Sequence, residues 1–371
     1  MKKICINKNI DSWLFELENE TSYSIMYCYQ GKCVEVATNN QKAIEWLENA
    51  LNIYFNKGEY SVFNVTKIIV VYLSGLKVEK SFERECVKMY LQTKGRKIKE
   101  GISKAKLYYN VQKNYIHAVY NNYNILLVDD NIQDNIRLPF RLCREILLLP
   151  DKNRKYHRFH AASVVDNVNN AWIIVGASGA GKTSFLLGAL YGGGSLCSND
   201  RTIIHMNKKG NLIVVGVPTS IRLSEKQLDT ISHMLIKDKM QVKDYHDIGV
   251  RNGKKEFSAA ELGRYCETSI KNCCSLKGVV VVDFSCEKIQ SFRMMDKNKK
   301  KKYILNNFMK EDDAFPNYFQ KNHENEIDVS LLDNMLELPW YYVTGWLYHS
   351  YKLDFLDIGD TFNKFNFQYE Q

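Results

Sequence analysis

Residues Gly176-Ala177-Ser178-Gly179-Ala180-Gly181-Lys182-Thr183 satisfy the spacing G-x-x-x-x-G-K-[ST] at every fixed position. Glycines at those places let the backbone curl so that successive N–H groups converge, and a following helix adds its positive end; the product is a cradle for phosphate groups. Lys182 is the expected counter-charge for the β and γ phosphates, Thr183 the expected magnesium ligand, and Ser184 completes the phosphate-binding stretch. A ligand-free glycine turn does not require a lysine and a hydroxyl residue in that register. The run also needs a strand before it and a helix after it. Ala171-Trp172-Ile173-Ile174 supplies the first and the segment from Lys182 to Leu190 the second.

The loop predicts nucleotide binding but leaves the reaction open, because kinases, motors, switches and sensors share it. No Asn-Lys-x-Asp guanine-reading run is present, so ATP is favoured over GTP. Transfer of phosphate to a hydroxyl also requires a held metal and a proton acceptor, tasks suited to carboxylates near the γ-phosphate. Asp200 ends the strand-like "SLCSND" just after the loop's helix, and is a candidate for both tasks. Asp283 ends the apolar run "GVVVVD" in a Walker-B-like pattern. His160 lies ahead of the loop on "RFHAASVV", read as one strand. By spacing alone each of these three also fits a packed or surface residue with no chemical role.

Read together, "HAASVV", "WIIVGASGAGKTSFLLGAL" and "LCSND" resemble the HPr kinase/phosphorylase family, in outline over residues 135–350 and in detail over 158–223. The resemblance implies an α/β, HPr-kinase-like P-loop domain with a mixed sheet, related to phosphoenolpyruvate carboxykinase. It also implies transfer of the γ-phosphate of ATP, with magnesium, to a serine-type hydroxyl. Carried over, Asp200 is the base and, with Thr183, a magnesium ligand, and His160 is its neighbour; Lys182 completes the catalytic set. Two departures stand out. The family's pair of acids is Asn199-Asp200 here, and its substrate-engaging segment has no counterpart. The resemblance is closer to HPr-kinase-like enzymes that tailor ribosomally made peptides, such as lasso-peptide kinases, and it allows a homo-oligomer. The rival reading is a nucleotide-binding regulatory or assembly module, which the neutral Asn199 favours; a small-molecule kinase and an ATPase acting on nucleic acid are further alternatives.

The elements around these residues divide in two. Residues 1–132 read as a smaller α+β domain, with hairpins about Gln30-Gly31 and Asn121-Asn122 and a helix over "QKAIEWLENALNIYF". Substrate recognition is its expected task. Residues 133–371 read as the kinase-like domain. They open with an amphipathic helix ending at Pro150 and add a hairpin over "RTIIHM" and "NLIVVGVP", helices over "SEKQLDTISHMLI" and "FSAAELGRY", and an aromatic-dense C-terminal "LPWYYVTGWLYHSYKLDF" read as a helix packed on the core.

With 371 residues, 45% of them apolar, and five prolines, the chain has enough material for a large core. A net charge of +9 favours anionic partners. The basic runs at 94–106, 251–255 and 297–302 carry little aromatic interleaving and no nucleic-acid motif, so solvated faces or an acidic peptide are expected ahead of RNA or DNA. Apolar stretches such as Ile68–Leu73 are too short to span a bilayer. The ten cysteines are scattered without a CxxC pair, and the first residues lack an apolar signal segment. Reduced thiols, with Cys28 and Cys33 in a hairpin, no structural metal, and a cytoplasmic location follow as expectations.

Overall fold

The computed structural model describes residues 10–58, 65–77, 87–89, 106–149, 155–225, 227–228, 254–284, 291–309, 315 and 327–344. The chain forms two units, one of residues 1–149 with 312–319 and one of 150–311 with 320–371. The division falls after Leu149 and not after residue 132, because the amphipathic helix packs on the first unit's helices and strands.

In the first unit eight strands form one sheet: β1 (Tyr23–Tyr29), β2 (Lys32–Thr38), β3 (Asn56–Lys57), β4 (Val65–Leu73), β5 (Val87–Met89), β6 (Lys106–Asn110), β7 (Tyr115–Tyr120) and β8 (Tyr123–Asp129), in the order β3-β1-β2-β4-β8-β7-β6-β5. Both expected hairpins form, with Gln30 and Asn121 at positive φ in their turns. Helix α1 (Ile10–Asn19) buries Leu14 and Leu17 against Ile69, Val71, Ile125 and Leu127. Helices α2 (Gln41–Leu51) and α3 (Leu138–Leu147) pack on each other and on β2. The β1–β2 register sets Cys28 opposite Cys33 with Cα atoms 4.2 Å apart, and the two form a disulfide. The expectation that all thiols are reduced is therefore corrected at this pair, since the hairpin itself brings the sulfurs together.

The second unit is built on a nine-stranded mixed sheet. Its strands are β9 (His157–Phe159), β10 (Ala162–Val165), β11 (Asn170–Val175), β12 (Ser195–Ser198), β13 (Thr202–Met206), β14 (Leu212–Gly216), β17 (Cys273–Asp283), β18 (Ser291–Met294) and β19 (Trp340–Thr344); β15 (Ile221–Ser224) and β16 (Lys254–Phe257) pair separately. Strands β11, β17 and β19 run parallel, and the other pairings are antiparallel. Helix α4 (Lys182–Tyr191), with Ser184 to Leu190 all buried, covers β10 and β11. The short α5 (Ala259–Tyr265) starts at a Ser258–Glu261 capping box. On the other side Ile173, Val175, Val279 and Val281 pack with Ile304 of α6 (Lys297–Asn307) and with Leu331 and Met335 of α7 (Val329–Glu337).

Two expectations are corrected here. "RFHAASVV" is two strands: β9 pairs with β13, whereas β10 pairs with β11 and β12, and the break falls at His160-Ala161. The aromatic segment is a strand, not a helix, at Trp340–Thr344, where it continues the sheet beside β17. Most of the helix expected over 224–236, nearly all of the basic run at 94–106, residues 251–253 of the next basic run and residues 345–355 lie outside the described residues. No helix among the described residues is long and apolar enough to cross a membrane.

Candidate active site

The glycine loop joins the carboxyl end of β11 to α4, and the carboxyl end of β17 supports it from beside. Phe284 N–H donates to the Ala180 carbonyl at 2.9 Å. A Cβ added to Gly176 would lie 2.5 Å from the Val282 carbonyl oxygen, and one on Gly181, whose φ is +100°, would enter the Phe284 ring. Side chains are thus excluded at the two ends of the loop by the neighbouring strand, while Ala177, Ser178 and Gly179 are exposed and Ala180 is buried.

Lys182 opens α4 and folds back over the loop, donating to the carbonyls of Gly176 at 2.9 Å and Ala177 at 3.1 Å. Its ammonium is where the motif requires a phosphate counter-charge. Burial lowers its pKa, and the negative charge of Asp200 offsets part of that fall. Thr183 donates to Asn199 Oδ1 at 3.5 Å. Ser184 is buried and accepts from Gln227 Nε2 at 3.2 Å, so it braces the helix from within.

Antiparallel pairing of β12 with β10 brings Asp200 to His160, with Nε2 and Oδ1 at 3.1 Å. Both side chains are close to half exposed, at 43% and 44%. Burial pushes the Asp200 carboxyl up, but the His160 bond together with the charges of His160, Arg201 and Lys182 outweighs it and holds the group at about 2. Asp200 is therefore an ionised acceptor at neutral pH, and its second oxygen, Oδ2, has no hydrogen-bond partner among the described residues.

Residues that the sequence did not single out fix this pair. Ser163 and Ser198 hydroxyls lie 2.9 Å apart, Ser198 and Thr202 2.8 Å, and Thr202 donates to the Ala161 carbonyl at 3.0 Å. One proton direction satisfies all three: Ser163 to Ser198, Ser198 to Thr202, Thr202 to the carbonyl. This buried chain clamps the strand ends flanking Asn199-Asp200 to the residue after His160. The His160 N–H in turn donates to the Asn307 carbonyl at the end of α6, 2.7 Å away. The available signal was small polar residues inside otherwise apolar strands. Asp283 ends β17, and its Oδ2 accepts from the Tyr342 hydroxyl at 3.0 Å.

The Thr183 hydroxyl and the Asn199 amide oxygen, 3.5 Å apart, and the carboxylate of the next residue, Asp200, are oxygen donors suited to magnesium. A hard cation shared with nucleotide phosphates needs only one or two protein oxygens. Among the described residues no cluster of three or more His, Cys, Asp or Glu side chains could hold a metal without such help.

No protein-family model matches the chain, and no curated protein does. Among solved structures it is similar to the HPr(Ser) kinase/phosphatase from Coxiella burnetii, with 10% identity, 58% of this chain and 99% of that chain covered, and a TM-score of 0.29. At that similarity nothing about the site follows from the likeness.

Proposed function

We propose that the protein is an ATP-dependent kinase that transfers the γ-phosphate to a serine or threonine hydroxyl of a peptide or protein. The observation that carries this reading is the juxtaposition of a hydrogen-bonded His160–Asp200 pair with the P-loop lysine, whose charge Asp200 feels. A phosphate cradle alone needs no such pair.

In this reading the loop amides and Lys182 hold the β and γ phosphates. Thr183 and Asp200 would hold magnesium, which would supply neutralising charge to the phosphates. Asp200 Oδ2 takes the proton of the acceptor hydroxyl as the new P–O bond forms and the bond to the β-phosphate oxygen breaks; His160, on Oδ1, fixes the direction of the carboxylate. A carboxylate held at about 2 is a weak base. A weak base suffices because in a loose phosphoryl-transfer transition state the hydroxyl proton leaves late, when the oxygen is already acidified by bonding to phosphorus.

The rival reading, a nucleotide-binding regulatory module, is favoured by one observation: a neutral amide, Asn199, accepts the hydrogen bond of Thr183. Incubation with γ-labelled ATP and serine-containing peptides separates the two. Label on peptide that is lost in Lys182→Ala is the expected result. Tight ATP binding with no label on peptide would replace the kinase by the regulator.

A further inference from the structure

Helix α6 begins KNKKKK, and the fold uses its five lysines in different ways. Lys297 pairs with Glu337 at 2.6 Å, and Lys300 donates to the carbonyls of Leu336 and Leu338, both at 2.9 Å. Lys299 and Lys302 make no such contacts among the described residues. With Tyr303 and Asn306 they recur at the spacing that puts residues on one helix face, and that face lines a cavity of about 610 Å3. Arg293 of β18 and Tyr342 of β19 line it from the sheet. Three cations there meet one lining carboxylate, Asp296, and that carboxylate already accepts the Asn298 N–H at 2.7 Å as the helix cap.

Two residues of the cavity wall adjoin residues that touch the elements of the candidate active site. Asn306 precedes Asn307, whose carbonyl holds the His160 N–H. Tyr342 holds Asp283, and the preceding Val282 carbonyl lies against Gly176.

We propose that the cavity between α6 and the β18–β19 edge binds the acidic flank of the phosphoacceptor, a peptide segment whose carboxylates pair with Lys299, Lys302 and Arg293. The acceptor role rests on the kinase reading; the binding of acidic peptide does not. Its volume falls within the range of about 300–1,000 Å3 typical of specific ligand sites. Peptide fits better than nucleic acid at Tyr342, where a base would stack: the Arg293 guanidinium lies over the ring at 5.3 Å, and the hydroxyl is tied to Asp283. Met294, 70% exposed beside the cations, offers instead an adaptable apolar contact of the kind peptide side chains use.

The test uses the full chain and two fluorescein-labelled peptides, one with a serine flanked by glutamates and the other with glutamines in their place. By fluorescence anisotropy the glutamate peptide binds at least about tenfold tighter, and Lys299→Glu/Lys302→Glu erases the difference while affinity for a fluorescent ATP analogue stays unchanged. Arg293→Gln, which reverses no charge, weakens the glutamate peptide in the same direction and guards against misfolding of the double variant. Equal affinity for the two peptides, or discrimination that survives the double variant, overturns the proposal. A poly(U) oligonucleotide that displaces the glutamate peptide and depends on the same residues overturns it in favour of RNA. Peptide binding without label transfer sinks the kinase reading alone, and label transfer without discrimination sinks the cavity alone.

Discussion

Replacing Asp200 by asparagine separates a structural role from a chemical one. The amide keeps the shape and retains an oxygen for His160, but it removes the negative charge. In the folded chain that carboxyl is held at about 2 instead of its ordinary 3.8. At about 1.4 kcal/mol per tenfold this difference corresponds to about 2.5 kcal/mol of interaction favouring the ionised form. The side chain is 44% exposed, so solvent screening reduces the figure to about 1 kcal/mol. The sign follows from the depressed value: the contribution is present above the unfolded carboxyl range and is lost as pH falls from about 4 through about 2. At neutral pH the variant therefore loses about 1 kcal/mol, or about 2–4 °C in Tm for a unit of this size. A base lost from the reacting centre costs far more, about 10²–10⁴ in rate, equivalent to about 3–5 kcal/mol.

The gap between those magnitudes is what the assay reads. Label transfer from γ-labelled ATP to a serine-containing acidic peptide and to water is followed with a thermal melt and the affinity of a fluorescent ATP analogue. Asp200→Asn should melt a few degrees lower, bind nucleotide and lose turnover by at least about a hundredfold. Turnover within about threefold of the parent refutes the assigned role. Because Asp200 of the free protein stays ionised above about pH 4, its titration produces no acid limb in kcat/KM between about pH 5 and 8. An acid limb in that range that disappears in the variant would contradict the electrostatics described above.

Gly181→Ala places a methyl group in the Phe284 ring at a residue with φ of +100°; a loss of about 1–3 kcal/mol in urea unfolding and of nucleotide affinity is expected, and an unchanged midpoint would show that the loop does not lean on β17. Thr202→Val removes the hydroxyl that links Ser198 to the Ala161 carbonyl. It should cost about 1–3 kcal/mol and lower turnover more than ATP affinity, and the reverse ranking would detach the hydroxyl chain from the His160–Asp200 geometry. Cys28→Ser opens the short hairpin loop and should cost at most about 2 kcal/mol by loop entropy, an effect that reductant reproduces in the parent; a midpoint that ignores both reductant and substitution would mean that the disulfide contributes nothing.

The glycine loop was legible in the sequence because its constraints are local. Gly176 and Gly181 cannot carry side chains, α4 must follow, and a short return strand must bring Asp200 back. The break at His160 was not legible, because "RFHAASVV" reads as one largely apolar run and its alanines do not announce the change of partner from β13 to β11. At the break the His160 N–H donates to the carbonyl of Asn307, a partner far along the chain that no local pattern announces. Trp340–Thr344 misled for a related reason. A strand in parallel register beside β17 carries an unbroken apolar run, and such a run has no period to distinguish it from a buried helix. Helix α3 was recognised as a helix, but its allegiance to the first unit depends on packing with α2 and β2, which its own sequence does not encode. The Cys28–Cys33 bond needed the hairpin register as well as its existence.

Asn199 is then the residue whose chemistry decides how the site balances charge. A second carboxylate beside Asp200 would place like charges on neighbouring residues, and mutual repulsion would raise the pKa of one of them. With an amide there, the carboxylate of Asp200 keeps the His160 hydrogen bond and faces the charges of His160, Arg201 and Lys182 without a competing neighbour, and together these hold it at about 2. Nucleotide phosphates arriving in the loop would draw on the same Lys182, so part of the stabilisation of the Asp200 charge passes to the phosphates and its basicity rises. The amide oxygen meanwhile keeps the Thr183 hydroxyl oriented without adding charge. In the proposed kinase a single carboxylate would thus be a poor proton acceptor in the free protein and a better one with phosphates in place, which would tie proton removal to a loaded nucleotide.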